Sequence, residues 1–168
     1  MGALRYYFAT QDDLLLFATE EMARRVQERV TAIVRTTSPG IDRAEAILHQ
    51  LLPLDANRTV EVRVWAAFMT KARISADLDR VRNWSWIGER FTIRLAVADA
   101  VGRGWPASVE APVEPELERH VERLQAIVDG LSIQGVTVPE HVTTHDQRRV
   151  LRCALESIAE AVGTPPAG

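Results

Sequence analysis

The chain has a single cysteine, Cys153, so no disulfide can form within it and a disulfide-framed secreted fold is excluded. Lysine is as scarce: of the 20 basic residues only Lys71 is lysine, which reads as the arginine bias of a GC-rich genome. No apolar run approaches the roughly 18 residues a membrane span requires. The opening MGALRYYFATQDD is too polar and aromatic for a secretory signal. Positive charge is not in excess either. A formal net charge of −3 and a pI near 5.8 argue against a chain whose main task, in this form, is gripping phosphates. These absences predict a soluble, cytoplasmic protein without a membrane partner.

What is present suits one domain. The 168 residues are 46% hydrophobic and 26% charged, enough to bury a sizeable core and too apolar for a disordered polyelectrolyte. Charge is uneven: residues 58–94 carry eight basic and four acidic side chains, whereas 105–146 carry eight acidic and two basic. Such asymmetry marks either a binding polarity or differently solvated faces.

Helical spacing dominates the chain. Thr10 is placed to cap a first helix, with Asp12 and Asp13 in its first turn. That helix carries Leu14, Phe17, Met22, Val26, Val30 and Ile33 inward and stops near Ser38-Pro39-Gly40. A second spans 41–52 and ends at Pro53. Asp55 caps a third, whose opening Val60-Glu61-Val62-Arg63-Val64 alternates like a strand before Val62, Trp65, Met69 and Ala72 restore the helical period. Ser75 caps a fourth, with Leu78, Val81, Trp84, Ile87, Phe91, Leu95 and Ala98 inward, broken at Gly102–Pro106. In the fifth, over 114–136, Leu117, Val121, Leu124, Val128 and Leu131 step as a heptad seam. A last helix, started by Thr144 or Asp146, carries Leu151, Leu155, Ile158 and Val162. The expected architecture is all-α: a remnant over 1–9, one domain over 10–162 and a frayed tail over 163–168.

The residues Gly2-Ala3-Leu4-Arg5-Tyr6-Tyr7-Phe8-Ala9-Thr10-Gln11-Asp12-Asp13-Leu14-Leu15 resemble the signature of the tetracycline-repressor-like (TetR) family of bacterial regulators. There a short recognition helix ends in an aromatic-Phe pair, followed by a tight turn, a polar cap and a long helix with an acidic start. Leu51-Leu52-Pro53-Leu54-Asp55 with Val62-Arg63-Val64-Trp65-Ala66-Ala67-Phe68, and Val128-Asp129-Gly130-Leu131, are similar to the C-terminal domain of the family's BetI-type branch. The resemblance implies a ligand-responsive transcriptional regulator, a repressor in type, with an all-α effector-binding and dimerisation domain. It assigns DNA contacts to Gly2, Ala3, Arg5, Tyr7 and Gln11; Arg5 and Gln11 depart from the family's usual tyrosine and lysine. The family places two further helices before the recognition helix, so an incomplete helix-turn-helix is expected, through a late-annotated start or a truncation. Operator DNA is then a partner only of a longer form.

No catalytic constellation is found, and no enzyme activity, cofactor or metal is expected. His141 and His145 have suggestive spacing but lie about a Pro-flanked loop without cysteine. Gly102-Arg103-Gly104 follows a helix rather than a strand, unlike a dinucleotide fingerprint. Cys153, beside the last apolar seam, reads as core or interface. The expected effector wall is Trp65, Phe68, Met69, Trp84 and Phe91, with Trp86 nearer a surface, which suits a small apolar or aromatic ligand. No carboxylate to match a cation is evident, and Arg63, Arg90 and Arg94 would serve an acidic ligand. The two seams, Leu117, Val121, Leu124, Val128 and Leu131 with Leu151, Leu155, Ile158 and Val162, are expected to pair with their copies in a homodimer, unless they face the chain's own helices. The rival readings are a helical carrier or enzyme with an apolar pocket, and an interaction scaffold. The expectation for DNA is sharp: this 168-residue form does not bind specific DNA, its reading helix having no support. A binding isotherm on adjacent intergenic DNA at physiological salt checks it; sequence-selective submicromolar binding contradicts it.

Overall fold

The Thr10 hydroxyl accepts from the Asp13 N–H at 3.1 Å, while the Asp13 carboxylate accepts from the Thr10 N–H at 2.9 Å. This reciprocal capping box satisfies two donors that a bare helix start leaves free. It opens α1, Gln11–Thr36, in a computed structural model that describes residues 10–163 apart from the side chains of Ala76 and Asp77. Gly40, at φ +142°, occupies backbone space that side chains rarely reach and turns the chain into α2, Ile41–Leu48. The helix expected to reach Leu52 ends sooner, in a 3₁₀ turn over His49–Leu51, because Pro53 holds Leu52 extended.

Asp55 accepts from the Arg58 N–H at 2.8 Å and starts α3, Ala56–Ala72, through the stretch with strand-like alternation. The following α4, Ala76–Ala100, begins at Ser75 without a side-chain cap, since the Ser75 hydroxyl donates instead to Asp12 across the fold. Gly102, at φ +67°, ends it. The last two helices are α5, Pro115–Thr137, and α6, Thr144–Gly163. The last helix starts at Thr144, one of the two expected starts, and Thr143 before it exchanges hydrogen bonds with Asp146. Among the described residues there are six helices, so the fold is all-α as expected.

The helices build two separate cores. The larger joins Ala44 and Leu48 of α2, Leu52 and Leu54, Ile93, Ala96, Val97 and Ala100 of α4, Val121, Leu124, Val128 and Leu131 of α5, and Leu151, Leu155 and Ile158 of α6. Each such large side chain contributes about 1.5–3 kcal/mol by burial. The smaller joins Phe68 and Ala72 of α3 to Leu78 of α4, with Leu15 and Leu16 of α1, Met69 and Val81 packed on it.

Most of the expected dimer seam is therefore inside the chain. Leu124, Val128, Leu151 and Leu155 have no exposed surface, and Val121, Leu131 and Ile158 are buried with them; Leu117 and Val162, at the ends, are half-buried. The correction has a simple cause. Helices at the edge of a bundle turn their most apolar stripe toward their own neighbours, and a heptad step fits that packing as well as a coiled coil.

One ionic knot lies in the larger core's wall. Arg43 of α2 grips Asp99 of α4 in a fork, Nε to Oδ2 at 2.6 Å and Nη2 to Oδ1 at 2.5 Å. Trp105 donates its indole N–H to the same carboxylate at 2.8 Å and lies under the guanidinium at 4.7 Å. Asp99→Ala leaves Arg43 buried without its counter-charge, and denaturant titration should record a loss of about 3–5 kcal/mol. Gly135→Ala should cost about 1–3 kcal/mol by overpacking, because its Cβ would stand 2.7 Å from the Pro53 ring and 2.5 Å from the Gln147 amide. Wild-type stability in either variant contradicts this packing.

Candidate functional site

The two cores meet α4 at different places, Leu78 in the smaller and Ile93 onward in the larger. Between them, over 79–92, no side chain is fully buried. The interior stripe of α4 runs Leu78, Val81, Ser85, Glu89, Ile93, Ala96, Ala100, apolar at both ends and polar in the middle. Facing it, α5 carries Gln125 and Asp129 one position after Leu124 and Val128. Helix α3 packs against both α4 and α5.

The centre of that gap is a pair of carboxyl groups. Glu89 and Asp129 are in hydrogen-bonding contact. Burial, the negative charge of Asp129 and that hydrogen bond together hold the Glu89 carboxyl well above the ordinary carboxylate range. The Oδ1 atom of Asp129 is shut off from solvent and has no hydrogen-bond partner. Gln125, one turn earlier, is 5% exposed. Arg90 donates to its carbonyl at 2.9 Å, and its buried amide nitrogen finds no acceptor.

Nearby cations are engaged elsewhere. Arg90 meets Glu118 at 2.6 Å and Glu122 at 3.3 Å, and lies over the Trp86 ring at 5.2 Å. Arg94 also grips Glu118, at 2.9 Å, and donates to the Val109 carbonyl. Although burial opposes it, Glu118 is held below the usual carboxylate range by Arg94 and Arg90. Arg90 and Arg94 are thus not free for an acidic ligand, and Arg63, on α3, is exposed.

The expected aromatic wall divides. Phe68 and Met69 belong to the smaller core. Trp65 and Phe91 are half-buried. Trp84, at 62% exposed, faces solvent, because the interior stripe of α4 passes through Ser85 instead; Trp86, at 44%, is also at the surface. Two surface hollows, about 270 Å³ beside the end of α4 and about 410 Å³ along α1, include none of these aromatics. Of the expected DNA contacts, Gly2, Ala3, Arg5 and Tyr7 lie outside the described residues; Gln11 is exposed at the start of α1. Cys153 is exposed, not core. Among the described residues no helix is long and apolar enough to cross a membrane.

Residues 26–160 match the model of the BetI-type transcriptional repressor C-terminal domain. The chain belongs to the BetI-type branch of the TetR family. This TetR-family chain is 33% identical over 161 residues to the HTH-type transcriptional regulator PksA of Bacillus subtilis (strain 168), covering 94% of the chain and 73% of that protein. It also superimposes, with a TM-score of 0.73 and 28% identity, on a transcriptional regulator from Rhodococcus sp. Rha1, over 98% of this chain and 81% of that one. It is a transcriptional regulator of the TetR/BetI type.

The TetR-type scaffold here tolerates an acid pair at some cost. In the unfolded chain Glu89 titrates near 4.5, whereas the folded chain keeps the proton to higher pH. Its contribution is therefore full below that value and lost as pH rises through the folded one. Glu89→Gln, which keeps a donor for Asp129, should be more stable than wild type at pH 8 and closer to it at pH 5, by denaturant midpoints. Parallel curves at both pH values contradict the buried pair.

Proposed function

We propose that this regulator is a ligand-responsive repressor whose effector site is the gap between its two cores. The observation that carries this is the middle of α4, where the interior stripe turns polar and no side chain is fully buried between two closed apolar clusters. Such a stretch gives a ligand room without dismantling a core, and its few polar groups set orientation. Trp65 supplies the apolar wall; Glu89, Asp129 and Gln125 supply the polar groups.

Coupling to DNA runs through α1. Its first turns rest on the smaller core through Leu15 and Leu16, and Asp12 meets Lys71 at 3.5 Å and Ser75 at 3.3 Å. Farther along, Arg29 holds Glu61 of α3 at 2.6 Å and donates to the side-chain Oε1 of Gln50 at 2.9 Å. A ligand that spreads α3 from α4 thereby re-aims α1 and the segment before it, where Gly2, Ala3, Arg5 and Tyr7, with Gln11, are the DNA contacts. The differential affinity of the ligand for the two arrangements drives the change.

Dimerisation uses the outer faces of α5 and α6 rather than the buried seams. On α5 the outward stripe is Arg119, Arg123, Ala126, Gly130, Ile133; on α6 it is Cys153, Ser157, Ala161. Ala126 and Gly130 on α5 and the three small side chains on α6 permit two copies to approach closely there. Ser157→Arg should convert a sedimenting dimer to a folded monomer, whereas Leu155→Glu should unfold the chain, since Leu155 is fully buried. A wild-type monomer at tens of micromolar contradicts this interface. For the effector site, small-molecule titration should quench tryptophan fluorescence, and Trp65→Ala should weaken every hit. If that variant folds and binds with wild-type affinity, the site is elsewhere.

A further inference from the structure

The gap also specifies what kind of ligand fits it. The acceptor set is unusual for a protein interior: two carboxyl groups in contact, with one oxygen of Asp129 sealed from water and unpartnered. A buried acceptor left empty costs free energy, and two carboxylates cannot both hold charge at contact distance without a cation. Arg90 and Arg94 do not supply it, because Glu118, Glu122, Gln125 and the Val109 carbonyl hold them. A metal ion is not the natural occupant, since among the described residues no third His, Cys, Asp or Glu completes a metal-holding group. A second orphan lies alongside: the Gln125 amide nitrogen, buried in the same interface and without an acceptor, while Arg90 holds its carbonyl end against α4.

We propose that Glu89 and Asp129 bind the ammonium head of an organic amine that carries N–H bonds, with the Gln125 amide taking an acceptor on the ligand's adjoining carbon. The inference rests on the reading of this gap as the effector site and narrows its ligand class. The head must be a donor, because the unmet need of Asp129 is for a hydrogen bond and not for charge alone. A primary or secondary ammonium meets both needs; a quaternary ammonium brings charge without N–H. The half-buried Trp65, on α3, suits an apolar or aromatic body. On entry of the cation, the proton that Glu89 holds passes to solvent, leaving two carboxylates around one ammonium.

The test is calorimetric titration of the 168-residue chain with five probes of similar size. These are 2-phenylethylammonium, 1,4-diaminobutane, the N,N,N-trimethyl derivative of 2-phenylethylamine, 2-phenylethanol and phenylacetate. At least one of the first two should bind, with the trimethyl, neutral and anionic probes weaker by about tenfold or more. Glu89→Gln and Asp129→Asn should each weaken that binding by about tenfold or more, with helicity by circular dichroism unchanged. Glu89→Gln is nearly isosteric, so it keeps the test available if Asp129→Asn does not fold. Equal binding of the trimethyl probe, or amine binding untouched by Glu89→Gln, overturns the proposal. If only phenylethanol or phenylacetate binds, and Trp65→Ala weakens it, the effector site stands and the amine class falls. If no probe binds at millimolar concentration, both fall.

Discussion

A single helix of 25 residues, α4, has to complete two cores that do not touch. Everything else in the molecule follows from how its interior stripe is divided. From Ile93 to Ala100 the stripe is small and apolar, and α2, α5 and α6 close on it. At Leu78 it is apolar again and meets α3 and α1. Between these anchors stand Ser85 and Glu89, which no core can absorb without a partner. A polar interruption of this kind lowers stability locally, and regions that respond to ligands are drawn from the less stable parts of a fold.

The two ends of α4 differ in rigidity for identifiable reasons. At its C-terminal end Asp99 is locked by a guanidinium fork, an indole N–H and a ring stacked over the cation, so α2 and the link after α4 cannot slide on it. Such a buried pair fixes register more than it adds stability. At the other end the contacts are few apolar side chains and an exposed Asp12–Lys71 pair at 3.5 Å, worth little in water. The weaker contacts are therefore on the side that carries α1. In this transcriptional regulator the asymmetry puts the more weakly held end of α4 beside the start of α1.

Much of the architecture was legible in the sequence because local signals and global packing agree. Thr10 with Asp13, Asp55 before its helix, and the Ser38-Pro39-Gly40 break each act through the nearest few residues. The Val60–Val64 alternation misleads only when read without Trp65 and Met69, which restore the helical period. The seams of α5 and α6 were visible as stripes, but a stripe does not say whether its partner is within the chain or in another copy. Heptad positions obey the same spacing in both cases; only the burial of Val128 and Leu155 decides between them. The site was the harder part. Taking Trp84 and Phe91 as inward on α4 shifts the register by one residue, and Glu89 then looks like a surface acid. The signal that would have found it is the pairing of two interruptions, Ser85 with Glu89 on one stripe and Gln125 with Asp129 beside another. Which acids meet across two helices is a tertiary fact that neither stripe contains.

The central claim is that α4 is held firmly from Ile93 onward and more loosely before it, and amide hydrogen exchange along that helix tests it most directly. The account predicts that amides over 82–92 exchange through openings of lower free energy than those over 93–100, in the ligand-free chain at neutral pH. It further predicts that they gain protection when an effector occupies the gap. Uniform protection along α4, with the middle opening only together with the larger core, would contradict it.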